Sequence, residues 1–203
     1  MNRRAKVALV AVLLLPLAVT LLLGFESRVA SAGAESEKSA AIERIVSYLK
    51  GKKVHMNEDS LKAVVSTVCD QSQKHDLDYR LVLALIKVES NFRQDAVSKG
   101  AHGLFQMKPS TARKVAQDAG VAWTGSESLH EADSNIKLGV CHLSKLVQDF
   151  KSVPTALHAY NTGTGNAKAR ATAREPKTPF TQRVLKEYKK NLTVLPDGED
   201  LDK

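Results

Sequence analysis

The chain has 203 residues, of which 43% are hydrophobic and 26% charged, and its formal net charge is +8. That length bounds it to about one domain with extensions, with enough apolar residues to bury a core and a charge content ordinary for a soluble protein. The positive excess attracts polyanions without naming them, and two cysteines with no CxxC or HExxH spacing argue against a zinc framework.

The N-terminus differs in kind from the rest. Arg3, Arg4 and Lys6 precede an uncharged run from Val7 to Leu23 with a single proline, and Ala30-Ser31-Ala32 then supplies the small residues that a signal peptidase needs. The apolar run is long for a signal and short for a span, so residues 1–32 are a secretory signal peptide or an uncleaved N-terminal membrane anchor. No cysteine lies near that boundary, which leaves no lipoprotein attachment site. Either way the body of the protein is expected outside the cytoplasm, in the periplasm, free or anchored to the inner membrane. Of the +8, +3 belongs to residues 1–32 and +5 to the exported remainder. For an exported chain, an anionic wall polymer or lipid head groups are better partners than nucleic acid.

Past a polar stretch from Gly33 to Lys38, Ile42, Ile45, Val46 and Leu49 repeat at helical spacing, and Gly51 closes that helix. Leu61, Val64, Val65 and Val68 repeat in the same way, with Asp59 or Ser60 as N-cap. Asp76-Leu77-Asp78 opens a strongly apolar helix that runs from Leu81 to Glu89. A loop over Asn91–Gly103 comes next, then a short helix from Pro109 to Ala119 and a turn-rich stretch from Trp123 to Glu131. Asn135 to Phe150 is helical, with Ile136, Val140, Leu143 and Val147 on one side. A short helix spans Pro154 to Tyr160, a loop spans Asn161 to Pro179, and Phe180 to Lys190 forms the last helix. The basic stretch Lys168 to Lys177 reads as a solvated face. Alternating strand patterns are almost absent and no internal repeat is found, so the chain is mainly α.

Cys69 lies on the face of Leu61, Val65 and Val68, and Cys141 stands three residues after Leu138, so both point inward. In an oxidising compartment the two can form a disulfide; otherwise they are two small buried hydrophobes.

Glu89 carries the chemistry. Residues three, four and seven apart share a helix face, which sets its carboxyl over Ile86, Leu85 and Val82. An apolar surround disfavours the charged form, raises the pKa and makes a carboxylic acid usable as a general acid near neutral pH. The plainer alternative is a helix-end glutamate paired with Arg93. Downstream come Gly103-Leu104-Phe105-Gln106 and then Ala159-Tyr160-Asn161-Thr162-Gly163.

Glu89-Ser90 closing an apolar helix, a GLxQ loop and an AYNxG segment, in that order, resemble the soluble lytic transglycosylases (SLT-type) of the goose-lysozyme-like clan. The resemblance runs from about Asp59 to Tyr188 and implies a lysozyme-like single catalytic domain. On this reading residues 33–58 are a linker with an N-terminal amphipathic helix, 59–190 the transglycosylase domain and 191–203 a flexible tail. The implied activity is cleavage of the MurNAc-GlcNAc β-1,4 bond in peptidoglycan glycan strands with formation of 1,6-anhydro-MurNAc, with no cofactor and no metal. Glu89 would be catalytic, and Ser98, Gln106, Tyr160 and Asn161 would bind substrate. Tyr160 matches the family's tyrosine that orients the catalytic acid. Asn161 also fits, with Gly163, turn chemistry beneath the cleft. Trp123 could stack on a sugar or serve the core.

Four departures from the family pattern stand out. Phe105 replaces a methionine, the loop between Ser98 and Gly103 is one residue tighter, and Thr164 stands where proline is usual. Near the C-terminus the family's ETxxYV element falls on Pro176 to Thr181, with Phe180 at the tyrosine and no glutamate in register, so no cleft contact carries over from it. Two other functions fit the same motifs: a goose-type lysozyme, which uses water, and an inactive wall-binding module. Oligomeric state is left open.

Overall fold

The computed structural model describes residues 33, 35–169 and 176–198. Ile42–Gly198 forms one compact unit; residues 33 and 35–41 are helical and belong to another. The signal or anchor expected over 1–32 lies outside the described residues, as do residues 199–203 and part of the Lys168–Lys177 stretch. Among the described residues no helix is long and apolar enough to cross a membrane.

The expected helical architecture is present. In chain order come α1 (35–51), α2 (Glu58–Lys74), α3 (Tyr79–Glu89), β1 (Val97–Ser98), β2 (Ala101–His102) and α4 (Pro109–Val115). A 3-10 turn (Ser126–His130) then leads to α5 (Ala132–Phe150), α6 (Val153–Thr162), α7 (Thr164–Ala169) and α8 (Pro179–Val194). Helix α3 is the hub. Tyr79 and every residue from Leu81 to Ile86 are buried, because α2 and α8 both pack on it. Helix α5 is buried in turn against α2, α4 and α6. Each fully buried Leu, Ile or Val removes enough apolar surface from water to contribute about 1.5–3 kcal/mol, so these two helices anchor the core.

Several elements differ from expectation, each for a local reason. The N-cap of α2 is Asn57, whose Oδ1 accepts from Ser60 N at 2.9 Å, rather than Asp59 or Ser60. The Asn91–Gly103 loop contains a hairpin pairing Ser98 with Ala101. Its two turn residues, Lys99 and Gly100, have φ of 51° and 74°, the positive pair of a type I′ turn, and this accounts for the tightness of the loop. Asn161 and Thr162 complete α6, and α7 begins directly after Gly163, so much of the expected loop is helical.

The largest correction is at the C-terminus. Residues 191–198 do not form a flexible tail: α8 runs to Val194, and Asn191 is buried. Asn191 Nδ2 donates to Arg80 O at 2.9 Å, and Tyr79 Oη donates to Pro196 O at 2.6 Å. Asp197 pairs with Arg80, which is itself held by Asp78, the N-cap of α3. Tyr188 Oη also donates to Asp78 at 2.9 Å. This network fastens α8 to the start of the helix that ends in Glu89. For Cys69 and Cys141 the sequence leaves open a disulfide or two small buried hydrophobes, and no bridge joins them. Both are buried thiols, filling space on the packed helices α2 and α5 as small hydrophobes do.

Candidate active site

Glu89 is the last residue of α3, and the chain turns sharply just beyond it. Asn91 and Phe92 both have positive φ, 52° and 62°, a conformation that costs about 1–3 kcal/mol for residues with a Cβ. Contacts from elsewhere hold the turn in place. Phe92 is fully buried, Lys87 binds the Asn91 side chain, and His55 N donates to Asn91 O at 3.1 Å. The chain therefore leaves α3 abruptly, and the Glu89 carboxyl faces open space.

The Gly-Leu-Phe-Gln loop reaches that space through a polar hub. Asn135, buried near the start of α5, donates to Leu129 O (2.9 Å) and His102 O (3.1 Å) and accepts from Phe105 N (2.9 Å). Gly103 has φ 76°, and a Cβ there would stand 2.3 Å from both Asn135 Nδ2 and Leu129 O, so only glycine fits. Gln106 also takes a positive φ, 46°. Its Nε2 donates to Ala96 O (2.9 Å) and Gly103 O (3.0 Å), which leaves Oε1 as the atom to meet a ligand donor.

All five residues singled out in the sequence, Glu89, Ser98, Gln106, Tyr160 and Asn161, line one cleft of about 590 Å³. Ser98 comes from the hairpin, and Asn161 from the last turn of α6. Asn161 therefore faces the cleft, while Gly163, with φ 89°, makes the turn that ends α6. Trp123 is not among the lining residues. Tyr160 departs from its expected contact: its Oη donates to Phe105 O at 2.7 Å, so among the described residues it braces the GLFQ loop and makes no hydrogen bond to Glu89.

Burial pushes the Glu89 carboxyl up to about 7, against a small opposing pull from the Arg183 cation. Burial, reinforced by the nearby Glu89 charge, also raises the Tyr160 phenol. Arg93 does not pair with Glu89; its Nε donates to Ser90 O. Three acids of the neighbouring segments lie elsewhere: Asp95 lines a different groove beside His130, Glu131 accepts from Ser134 Oγ, and Asp133 pairs with Lys137 at 2.7 Å. Among the described residues Glu89 is thus the one carboxylate lining the cleft, set among Lys99, Lys108 and Arg183.

Three further cleft residues are not among those five. His142 packs its ring against Tyr160, centroids 5.3 Å apart, and burial lowers its pKa to about 4, so it is neutral at working pH. Phe180 corrects the expectation for the Pro176–Thr181 element, which carried no cleft contact: it does line the cleft, and Arg183, beyond that element on α8, lines it too. Their signal in the sequence is weak, one face of an amphipathic helix whose place in space the sequence does not state.

Comparison with known proteins gives a consistent picture. A family model described as the transglycosylase SLT domain matches residues 66–180. A transglycosylase of Enterobacteria phage PRD1 is 31% identical over 102 residues, which covers 50% of this chain and 35% of that protein. Among solved structures, an inactive mutant of the lytic transglycosylase Slt from Pseudomonas aeruginosa superposes with a TM-score of 0.56 at 25% identity, covering 66% of this chain and 25% of that one. The 70 kDa soluble lytic transglycosylase of Escherichia coli gives a TM-score of 0.55 at 18% identity, over 67% of this chain and 25% of its own, and speaks for the fold alone. The chain thus corresponds to about a third of the phage protein and a quarter of each of the larger enzymes.

Proposed function

The chain belongs to the transglycosylase SLT domain family, whose model spans more than half of it, and from that premise we propose that it is a lytic transglycosylase cleaving the MurNAc-GlcNAc β-1,4 bond of peptidoglycan. The observation that carries this reading is a single half-buried carboxyl, Glu89, held near pH 7 in a cleft with no second acid among the described residues. Hydrolysis by the common two-carboxylate route needs a base placed to activate water. One carboxyl that can give a proton and then take one suits an internal displacement instead.

In this scheme the Glu89 carboxyl protonates the glycosidic oxygen after MurNAc, and the GlcNAc side leaves as an alcohol. The substrate's own 2-acetamido group helps to stabilise the cationic centre at C1. Glu89, now ionised, takes the proton from the C6 hydroxyl of the same MurNAc, whose oxygen closes the 1,6-anhydro ring. Glu89 ends protonated, and no water is consumed. Ser98, Gln106 Oε1 and Asn161 bind the sugars. Tyr160 positions the loop that carries Gln106. Neutral His142 adds an uncharged donor and acceptor to the same wall. The enzyme works outside the cytoplasm, in the periplasm, either released after removal of residues 1–32 or held to the inner membrane by them.

Mass spectrometry of digested, purified peptidoglycan tests the reading. Anhydro-muramic ends are expected. Reducing ends would instead make it a goose-type hydrolase, and intact walls in the presence of folded protein would make it a binding module.

A further inference from the structure

The catalytic cleft does not stop at Arg183. That residue also lines a shallow hollow with Gln182 and Lys186, and these two in turn line a groove of about 670 Å³ with Lys177 and Lys189. Gln182, Lys186, Lys189 and Thr193 are spaced at four, three and four residues and form one exposed stripe of α8. Apolar lining comes from Pro154 and Pro176, outside α8, and from Leu185 on α8 itself. Lys190 at the groove is engaged by Glu187 at 2.7 Å. Among the described residues no carboxylate lines the groove, and none meets Lys177, Lys186 or Lys189.

We propose that this groove is a binding site for the carboxylate-bearing peptide stem of the glycan strand held in the cleft. The inference rests on the peptidoglycan reading above. In such a strand the stem branches from the muramic sugar, the sugar whose glycosidic bond would lie at Glu89, and the stem bears the free carboxylates. Three ammonium groups on the same face as Arg183, with no carboxylate partner among the described residues, match those charges, and the proline and leucine side chains suit the methyl groups of stem alanines. The lengths agree. An extended stem of four or five residues spans roughly 13–17 Å, and the stretch from Arg183 to Thr193 covers about 15 Å of helix axis. A flat lipid surface would need the charge but not the groove, nor its opening into the cleft.

The test is a binding measurement on the full chain. GlcNAc-MurNAc carrying its peptide stem, and the same disaccharide without it, are titrated at about 50 mM and about 300 mM salt. The stem-bearing ligand should bind about fivefold tighter at low salt, as expected when a few exposed charge pairs act together. That gap should close with salt and in Lys186→Glu/Lys189→Glu, and narrow part-way in Lys186→Gln/Lys189→Gln. Both sites are exposed, so the melting temperature should hold. Equal affinity for the two ligands, or a gap that survives charge reversal, would overturn the proposal. So would lysine-dependent sedimentation with anionic phospholipid vesicles when the stem adds nothing to affinity. Binding is read without turnover, so absence of anhydro products beside a stem-dependent affinity would remove the transglycosylase reading and leave the groove standing.

Discussion

The ring of Phe105 lies where a side chain on residue 139 would have to be: a Cβ on Gly139 would stand 2.2 Å from the ring. The pair seats the GLFQ loop on α5 and so helps to set where Gln106 enters the cleft. Gly139→Ala should cost about 2 kcal/mol by overpacking, read from urea unfolding. Activity should fall with it. Phe105→Leu in the same chain should recover part of the loss, because a smaller side chain vacates the space. Additive costs for the two changes would mean that the contact is not coupled.

Glu89→Gln should abolish cleavage while leaving the fold intact, because the amide is nearly isosteric but has no proton to give. In the wild type, kcat/KM should be flat below about pH 7 and fall about tenfold per unit above it, as the acid ionises. Turnover by a folded Glu89→Gln protein would sink the mechanism.

The same shift has a consequence for stability. The folded protein holds the Glu89 proton up to about pH 7, whereas the unfolded chain loses it near the ordinary 4.5. Between those values the folded state binds more protons, so stability falls as pH rises through the window and levels off above it. Glu89→Gln carries no such burden. It should match wild type below about pH 4 and exceed it by about 3 kcal/mol at about pH 8. Thermal unfolding of both proteins across that range checks the sign, and a pH-independent difference would count against it.

Tyr160→Phe removes the donor to Phe105 O, at a cost of about 1 kcal/mol. If Tyr160 braces the loop and does not share the Glu89 proton, activity should fall less than in Glu89→Gln and the alkaline limb of the pH profile should stay where it is. A limb that moves by a full unit would assign Tyr160 to the proton instead.

Cys69 and Cys141 should react as two thiols per chain when the protein is denatured without reductant, and slowly when it is native. Both are buried, and burial pushes the Cys141 thiol up, away from the reactive thiolate. A reducing agent should leave the melting temperature unchanged. Absence of labelling in the denatured chain would restore the bridge.

What the sequence by itself determined was local. The 3.6-residue repeat placed α1, α2, α3 and α5, Asp76-Leu77-Asp78 marked the opening of α3, and apolar neighbours three and four residues back made Glu89 a carboxyl with a raised pKa. The family resemblance then implied Ser98, Gln106, Tyr160 and Asn161, and these do share a cleft with Glu89. Only the tertiary structure decided which acids are kept out of that cleft, that Tyr160 spends its proton on Phe105 O, and that His142, Phe180 and Arg183 come into it. It also decided that residues 191–197 are held by α3, through Arg80 and Tyr79 more than a hundred positions earlier in the chain. The physical reason is range. Helical period and capping act within about one turn and are written in neighbouring residues, whereas the environment of a side chain is set by elements that meet only when the whole core packs.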